Sequence, residues 1–422
     1  MGSQNNGERC FWLPDCSARF YPIMSTKKAQ SLFHICVELD EVADKGRLET
    51  ALNEVLSRFP TYKVRLKAGY SNFKFVPIDA RAKIFDFDGR ILVPIDKKET
   101  GGYMFRVGVR GREIHLDMFH ALTDGTGALG FMLALVRRYR ELGGAIFADG
   151  TGVASVADTA TEEECEDAFE RYYKPIKLGE IDLKGMAGKS PHIRVGTLIS
   201  EGRRSTRYEA ESAALVKAAK AHGASFAEYF TGLVAMSIEQ LSSDGKPFVM
   251  MIPVNLRRFF PSRTQRNFVL FARVVINPKQ CSSLNDYVLE AKEQLARGVQ
   301  KDRLLAQLST TVKGMNNFVM RVTPLFVKKM FARLGRLFMR SRQTIIISNL
   351  GNIALDDGLG IENVHFNLNV SRNNVQNLAV LSFKGKTQCS FTSAIEESDL
   401  EAKLAENLAA EGVEIKLCSP TE

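Results

Sequence analysis

An α/β chain divided into two lobes is what this sequence predicts, and three observations carry the prediction. At 422 residues the chain exceeds the size at which a single apolar core stops growing. In Glu113 to Met118, Ile114, Leu116 and Met118 alternate with Glu113, His115 and Asp117, the period of a half-buried strand. Thr126 to Leu142 then carries Leu129, Met132, Leu133, Leu135 and Val136 at helical spacing, so strand passes into helix through a short connection.

The second half repeats the mixture. Glu211 to Leu241 holds Leu215, Ala218, Phe226, Phe230, Leu233 and Met236, which predicts two helices broken at His222-Gly223, where glycine ends the first. Phe248 to Val254 is a continuous apolar run that suits a strand buried on both faces. Ile345 to Ile347 and Leu378 to Phe383 are further strands, and Glu401 to Gly412 a closing helix. From Gly150 to Ala168 the chain turns small, polar and acidic, with Glu162, Glu163, Glu164, Glu166 and Asp167 clustered, the composition of a connection. The predicted division is a first lobe over 1–150, a connection over 151–185 and a second lobe over 186–422.

Composition narrows the class. With 45% hydrophobic and 25% charged residues the chain is globular, not disordered. No apolar run reaches bilayer length, and Met1 to Gly7 is polar with no apolar core after a basic start, so the expected compartment is the cytoplasm. Seven scattered cysteines, an odd number, suit free thiols in a reducing compartment. Cys10 and Cys16 have no partners at zinc spacing, and no metal is expected.

The chemistry concentrates in His120-Ala121-Leu122-Thr123-Asp124-Gly125, the connection between strand and helix, where an imidazole and a carboxylate stand four residues apart. Loops at strand ends are where rigid scaffolds carry reacting groups. Gly125 and Gly127 are expected to supply backbone angles that other residues resist. An imidazole with an ordinary pKa near ~6.5 can remove a proton at neutral pH, so His120 is a candidate general base, beside the plain reading of a histidine satisfied by backbone at a strand end. His115 is its competitor, on the Glu113 and Asp117 face of the strand. His34, His192, His222 and His365 lack motif context and read as structural or surface residues. Gly125, Gly127 and Gly130 spell G-x-G-x-x-G, but they stand more than a hundred residues into the chain without a first βαβ unit, and no dinucleotide site is expected.

The six residues resemble the H-x-x-x-D-G signature of the CoA-dependent acyltransferase superfamily, which includes chloramphenicol acetyltransferase, plant alcohol acyltransferases and peptide-synthetase condensation domains. Three further stretches resemble it in the order it uses them. Arg58-Phe59-Pro60-Thr61-Tyr62-Lys63-Val64-Arg65 is similar to a helix end and first core strand. Ile252-Pro253-Val254-Asn255-Leu256-Arg257, with Arg266-Asn267-Phe268, is similar to a proline-containing strand and crossover segment. Ile347-Ser348-Asn349-Leu350-Gly351 is similar to the Ser-Asn-x-Gly strand end of the alcohol acetyltransferase and condensation branches. Condensation domains carry two adjacent histidines, whereas Phe119 precedes His120, which favours a free-standing transferase.

The resemblance implies two chloramphenicol-acetyltransferase-like lobes, each a mixed β-sheet with flanking helices, and an active-site tunnel between them. It implies acyl transfer from acyl-CoA, a co-substrate with no permanently bound cofactor, to an alcohol or amine acceptor, an alcohol hydroxyl first. The alternatives are a carrier-protein-dependent acyltransferase or condensation enzyme taking its donor from an acyl carrier protein, and a non-catalytic acyl-thioester-binding or scaffold protein. It further implies that the Asp124 carboxylate points away from the imidazole and pairs with a cation, for which Lys63, Arg65 and Arg257 are the candidates. Ser348, Asn349 and the Gly125 N–H are candidates for lining the cleft or holding the oxyanion. The chain is taken as a monomer.

Lysine and arginine exceed aspartate and glutamate by 57 − 48 = 9, and Lys313 to Arg342 holds eight cations and no acid. After Pro324, Phe326, Val327, Met330, Phe331, Leu334, Leu337 and Phe338 recur at helical spacing opposite Lys329, Arg333, Arg336 and Arg340. This basic amphipathic helix suits CoA phosphates, an acidic carrier, peripheral contact with an anionic membrane, or plain packing of its apolar face on the second lobe. No nucleic-acid motif accompanies it, and nucleic acid is not an expected partner.

Overall fold

The computed structural model describes residues 13–27, 29–147, 152–175, 197–199, 203–242, 245–339, 343–355, 357–370, 374–396 and 398–418. Cys10 and His192 lie outside the described residues. The strands are β1 Leu32–Leu39, β2 Val64–Ala68, β3 Phe73–Pro77, β4 Ile84–Asp86, β5 Phe105–Arg110, β6 Glu113–Phe119, β7 Arg204–Glu211, β8 Phe248–Asn255, β9 Val269–Ile276, β10 Ile345–Ile353, β11 Ile361–Leu368, β12 Gln376–Phe383, β13 Lys386–Ser393 and β14 Ile415–Cys418. They build a five-stranded sheet in the order β11-β1-β6-β5-β4, a seven-stranded sheet in the order β14-β7-β13-β12-β10-β8-β9, and the hairpin β2-β3. Both large sheets are mixed: β4 runs parallel to β5, and β10 runs parallel to β8 and β12.

In the first lobe, Phe33, Ile35 and Val37 of β1 stand opposite Met118, Leu116 and Ile114 of β6, one face of the pleat. The helices Lys45–Arg58 and Gly125–Leu142 cover that face with Leu48, Leu52, Val55, Phe131 and Leu135 in one core. Asp44 caps the first helix by accepting from the Arg47 N–H, and Asp124 caps the second by accepting from the Gly127 N–H.

Two expectations change here. The segment similar to a first core strand, around Val64 and Arg65, forms the separate hairpin. The second lobe, expected to take all of 186–422, also sends β11 across to extend the first sheet beside β1. Sequence pattern cannot show which edge a strand joins, because β11 has the same alternation in either sheet. The acidic connection is partly built in: Glu164 pairs with buried Arg58 at 2.7 Å, and its carbonyl accepts from the Gln265 N–H.

The expected helices Ser212–Ala221 and Phe226–Leu241 form, and Gly223 takes a φ of +61° at the break. The closing helix spans Leu400–Ala410. Cys16, Cys36, Cys165, Cys281, Cys389 and Cys418 are free thiols.

The second face of β6 is buried as well, although its alternation reads as half-exposed. Asp117 is the polar centre of that layer, accepting from His34 Nδ1 at 2.9 Å, Arg106 at 2.6 Å and the Leu92 N–H at 3.1 Å. His115 lies 3.3 Å from His34 and stacks on Phe87 with ring centroids 3.6 Å apart. Burial pushes His115 down to about 4 and His365, across Cys36, down to about 3, with Glu113 and Asp117 opposing the shift at His115. Both folded values lie below the unfolded value of about 6.5, so their stabilising contribution is complete above that pH and is lost as pH falls. Between about pH 6.5 and 4 each imidazole should lower stability by up to ~1.4 kcal/mol per pH unit. Melting temperatures taken from pH 7.5 to 4.5 should fall accordingly, and less steeply for His365→Asn; equal slopes would mean that His365 is charged in the fold.

Candidate active site

The site begins where β6 ends. The His120 N–H donates to the Ser31 carbonyl, and its ring stacks on Tyr21 at 4.4 Å between centroids and meets Phe33 edge-on at 5.1 Å. His120 Nδ1 lies 2.8 Å from Asn267 Oδ1. The Asn267 amide cannot be turned round, because its Nδ2 donates to the His120 carbonyl at 3.0 Å and to Asp15 Oδ2 at 3.1 Å. Oδ1 is therefore the acceptor, Nδ1 carries the proton, and Nε2 keeps its lone pair. Burial lowers the His120 pKa from its ordinary value, against the opposing pull of Asp124 and Asn267. The ring is thus held neutral near pH 7. The Tyr21 phenol is pushed up by burial and by Asp15 and Asp124, so it stays protonated and does not compete as a base.

Asp124 faces away from this ring. Its Oδ2 accepts from Arg257 Nη1 at 2.8 Å and from the Phe268 N–H at 2.8 Å, while Oδ1 accepts from the Gly127 N–H at 3.0 Å. The cation is Arg257. Lys63 and Arg65 lie at the β2-β3 hairpin, where the Lys63 carbonyl accepts from Ile78 and Arg65 packs beside Gly102, and they are corrected on that ground. Arg257 is itself anchored, donating to the carbonyls of Thr264 and Arg266 at 2.9 and 2.7 Å. The segment 264–268 straps the second lobe to the His120 loop, since the Gln265 carbonyl also accepts from Thr123 Oγ1 at 2.6 Å and Tyr62 Oη at 2.9 Å.

The glycines act through space, not through backbone angle. Gly125 and Gly127 open the helix, and neither has a positive φ. A Cβ on Gly127 would stand 2.2 Å from Thr123 Oγ1 and 2.4 Å from the Gln265 carbonyl, and one on Gly125 would stand 3.0 Å from Leu350 Cδ2.

A cavity of about 250 Å³ opens between the lobes, with His120, Gly125, Asn255, Phe271, Ser348 and Asn349 among its walls. The second sheet makes room for it. Strand β10 pairs with β8 only at Ile345 and Ile346, then turns to β12, so β8 and β10 part before Pro253 and Ser348. Pro253, which has no N–H to give, sits where β8 has lost that neighbour. Asn349 Oδ1 accepts from the Gly351 N–H at 2.7 Å, and Gly351 takes a φ of +84°, which only the missing Cβ allows cheaply. The Asn349 carbonyl oxygen is thus a turn brace.

His115 is removed from this cavity, on the opposite face of the first sheet. With Cys36 and Glu113 it forms the one group whose ligand atoms lie within 4.8 Å of one another among the described residues. Burial and Glu113 hold the Cys36 thiol well above its ordinary value. The basic helix forms over Leu325–Met339, but it does not pack by its apolar row: Phe326, Met330, Phe331 and Leu334 are exposed, Leu325 and Lys328 are buried, and Lys329 and Arg333 line a second cavity. Arg340 and the side chain of Arg336 lie outside the described residues.

Asn267, Asp15 and Tyr21 are the site residues that sequence reasoning missed. Asn267 stood inside a quoted stretch without a role; Asp15 and Tyr21 stand in no motif.

No family model matches the chain, and no curated protein matches it in sequence. Solved structures do match. A trichothecene 15-O-acetyltransferase from Fusarium sporotrichioides superposes with a TM-score of 0.65 at 13% identity, over 95% of this chain and 94% of that one. Polyketide synthase associated protein 5 from Mycobacterium tuberculosis gives 0.61 at 15% identity, over 90% of this chain and 94% of that one. A second F. sporotrichioides protein, TRI101, complexed with coenzyme A and T-2, gives 0.61 at 12% identity over 96% and 99%. The chain has the two-lobed, chloramphenicol-acetyltransferase-like α/β fold that the motif residues implied.

Proposed function

We propose that the chain is an acyltransferase that moves an acyl group from an acyl-CoA thioester to an alcohol hydroxyl, with His120 as general base. The observation that carries this reading is the locked tautomer: Asp15 fixes Asn267, Asn267 holds the proton on Nδ1, and Nε2 of a neutral ring is left to accept. The acceptor oxygen attacks the thioester carbon as its proton passes to Nε2. The C–O bond forms, the carbonyl oxygen takes the charge, and collapse breaks the C–S bond as Nε2–H returns the proton to the departing thiolate. No acyl-enzyme forms. Ser348 Oγ, the Asn349 amide and the Gly125 N–H at the helix start are the donors for the oxyanion, and each such donor contributes roughly 10²-fold to 10³-fold by precedent. Support for the donor class comes from the fold shared with a protein complexed with coenzyme A, and the inter-lobe cavity gives the acceptor its place.

The test is thiol release. Purified protein given acyl-CoAs and a panel of alcohols should free CoA only when both are present, with the ester identified by mass spectrometry. Turnover with carrier-bound thioester alone would move the donor to an acyl carrier protein, and no transfer from either would leave a binding role.

The base also predicts a pH profile. Since neutral His120 is the reactive form and burial lowers its pKa, kcat/KM should stay level down past pH 6.5 and fall only at lower pH. Asn267→Leu releases the tautomer and should lower kcat by about 10-fold to 10²-fold while leaving KM near its original value. It should also shift the acid limb, which a purely structural residue would not do.

A further inference from the structure

The helices Phe318–Val322 and Leu325–Met339 turn seven large apolar side chains to solvent between Phe318 and Leu334, five of them four residues apart: Phe318, Val322, Phe326, Met330 and Leu334. Phe318 is 77% exposed and Phe326 74%. Contiguous apolar surface of this kind marks a contact site. The helix is anchored from beneath, not by that row: buried Lys328 donates to the Ser71 carbonyl and to Asn72 Oδ1 at 3.0 Å, and the Leu325 N–H donates to the Tyr70 carbonyl. Tyr70 and Phe20, both exposed, extend the patch.

Beside the apolar row opens the second cavity, of about 350 Å³. Its buried lining is largely apolar, with Ile23, Ile95, Met104 and Phe119, and its charged walls are Lys27, Lys97, Lys329 and Arg333 without a carboxylate. Lys329 stands over the Phe73 ring at 5.1 Å, and Lys97 reaches the Leu66 carbonyl at 3.4 Å. Burial, and after it the nearby Lys329 ammonium, lowers the Lys97 pKa.

We propose that this face docks on an anionic bilayer, the apolar row entering the interface while the cavity takes an anionic phospholipid, head group on Lys97, Lys329 and Arg333 and acyl chain in the apolar depth. Charge decides the occupant. Lys27, Lys97, Lys329 and Arg333 line the cavity beside the row with no carboxylate among its walls, so a second copy meeting the same face would set like charges together. An apolar row flanked by cations is the pattern of an interfacial helix. No described helix is long and apolar enough to cross a membrane, and this surface requires none.

Co-sedimentation with phosphatidylcholine vesicles containing one quarter phosphatidylglycerol, at about 0.1 M salt, reads the proposal. The protein should bind these at least ~10-fold more tightly than pure phosphatidylcholine, and 0.5 M salt should remove the difference. Lys97→Gln/Lys329→Gln/Arg333→Gln should weaken binding by about 10²-fold, near fivefold per cation. Phe326→Ser/Phe331→Ser alters only exposed side chains and should weaken binding to both vesicle types without moving the melting temperature. Soluble dihexanoyl-phosphatidylglycerol should shield Lys97 and Lys329 from amine labelling where inorganic phosphate does not. Indifference to phosphatidylglycerol would overturn the proposal. So would conversion of a dimer to a monomer by the phenylalanine variant. A raised KM for acyl-CoA in the triple variant, with vesicle binding intact, would assign the cations to the donor's phosphates instead.

Discussion

His120→Ala lowers turnover by about 10²-fold or more, with the fold and acyl-CoA binding nearly intact. The size follows from what is removed. Without Nε2 the attacking hydroxyl must lose its proton to water, while the cavity, the oxyanion donors and the binding surfaces remain. Stability should change little, because the ring stacks on Tyr21 and meets Phe33 edge-on without bracing either, and its side-chain hydrogen bond goes to Asn267. His115→Ala is the control. Its ring lies in the polar layer behind the first sheet, against Phe87 and His34, so it should cost stability and spare the chemistry. A His120→Ala enzyme that retained activity, with His115→Ala inactive but folded, would reverse the assignment. The same pair of variants separates a base from a structural histidine, since only His120→Ala should remove the acid limb of the pH profile.

The contrast between these histidines shows what a sequence exposes and what it hides. Periodicity located β6 and the helix after it to within a residue, because local apolar spacing is all such elements need. It left the His115 face open, exposed or covering the cleft floor, because alternation cannot report a second layer: Arg106 and the Leu92 backbone reach Asp117 from 11 and 25 residues away. Gly125 and Gly127 were legible as special, but the reason was not. Their missing Cβ atoms make room for Leu350 and Gln265, residues more than a hundred positions distant. The same limit hid the partner of Asp124 among three cations, and it hid the role of Asn267. Most telling is the basic helix: its amphipathic pattern was plain, yet which side faces the protein depends on Lys328 finding acceptors at Ser71 and Asn72.

Asp124→Asn should destabilise the protein by about 3–5 kcal/mol, the usual cost of leaving a buried cation without its partner. Three donors converge on the carboxylate: the Arg257 guanidinium and the Phe268 N–H on Oδ2, and the Gly127 N–H on Oδ1. An amide offers one acceptor oxygen, so whichever way it turns its NH₂ meets a donor head-on. Because Asp124 is 1% exposed, water cannot make up the loss. The melting temperature should drop by roughly 3–6 °C. Turnover should fall with it, since Phe268 follows Asn267 and a displaced strap moves the group that holds the His120 tautomer. Arg257→Gln should cost a similar amount, while the double variant should cost clearly less than the sum, because each single change strands the other partner. Additive losses would mean that the two side chains act separately. An unchanged melting temperature with abolished turnover would place Asp124 in the chemistry itself, as a partner of the imidazole, against a carboxylate that points toward Arg257 and the second lobe.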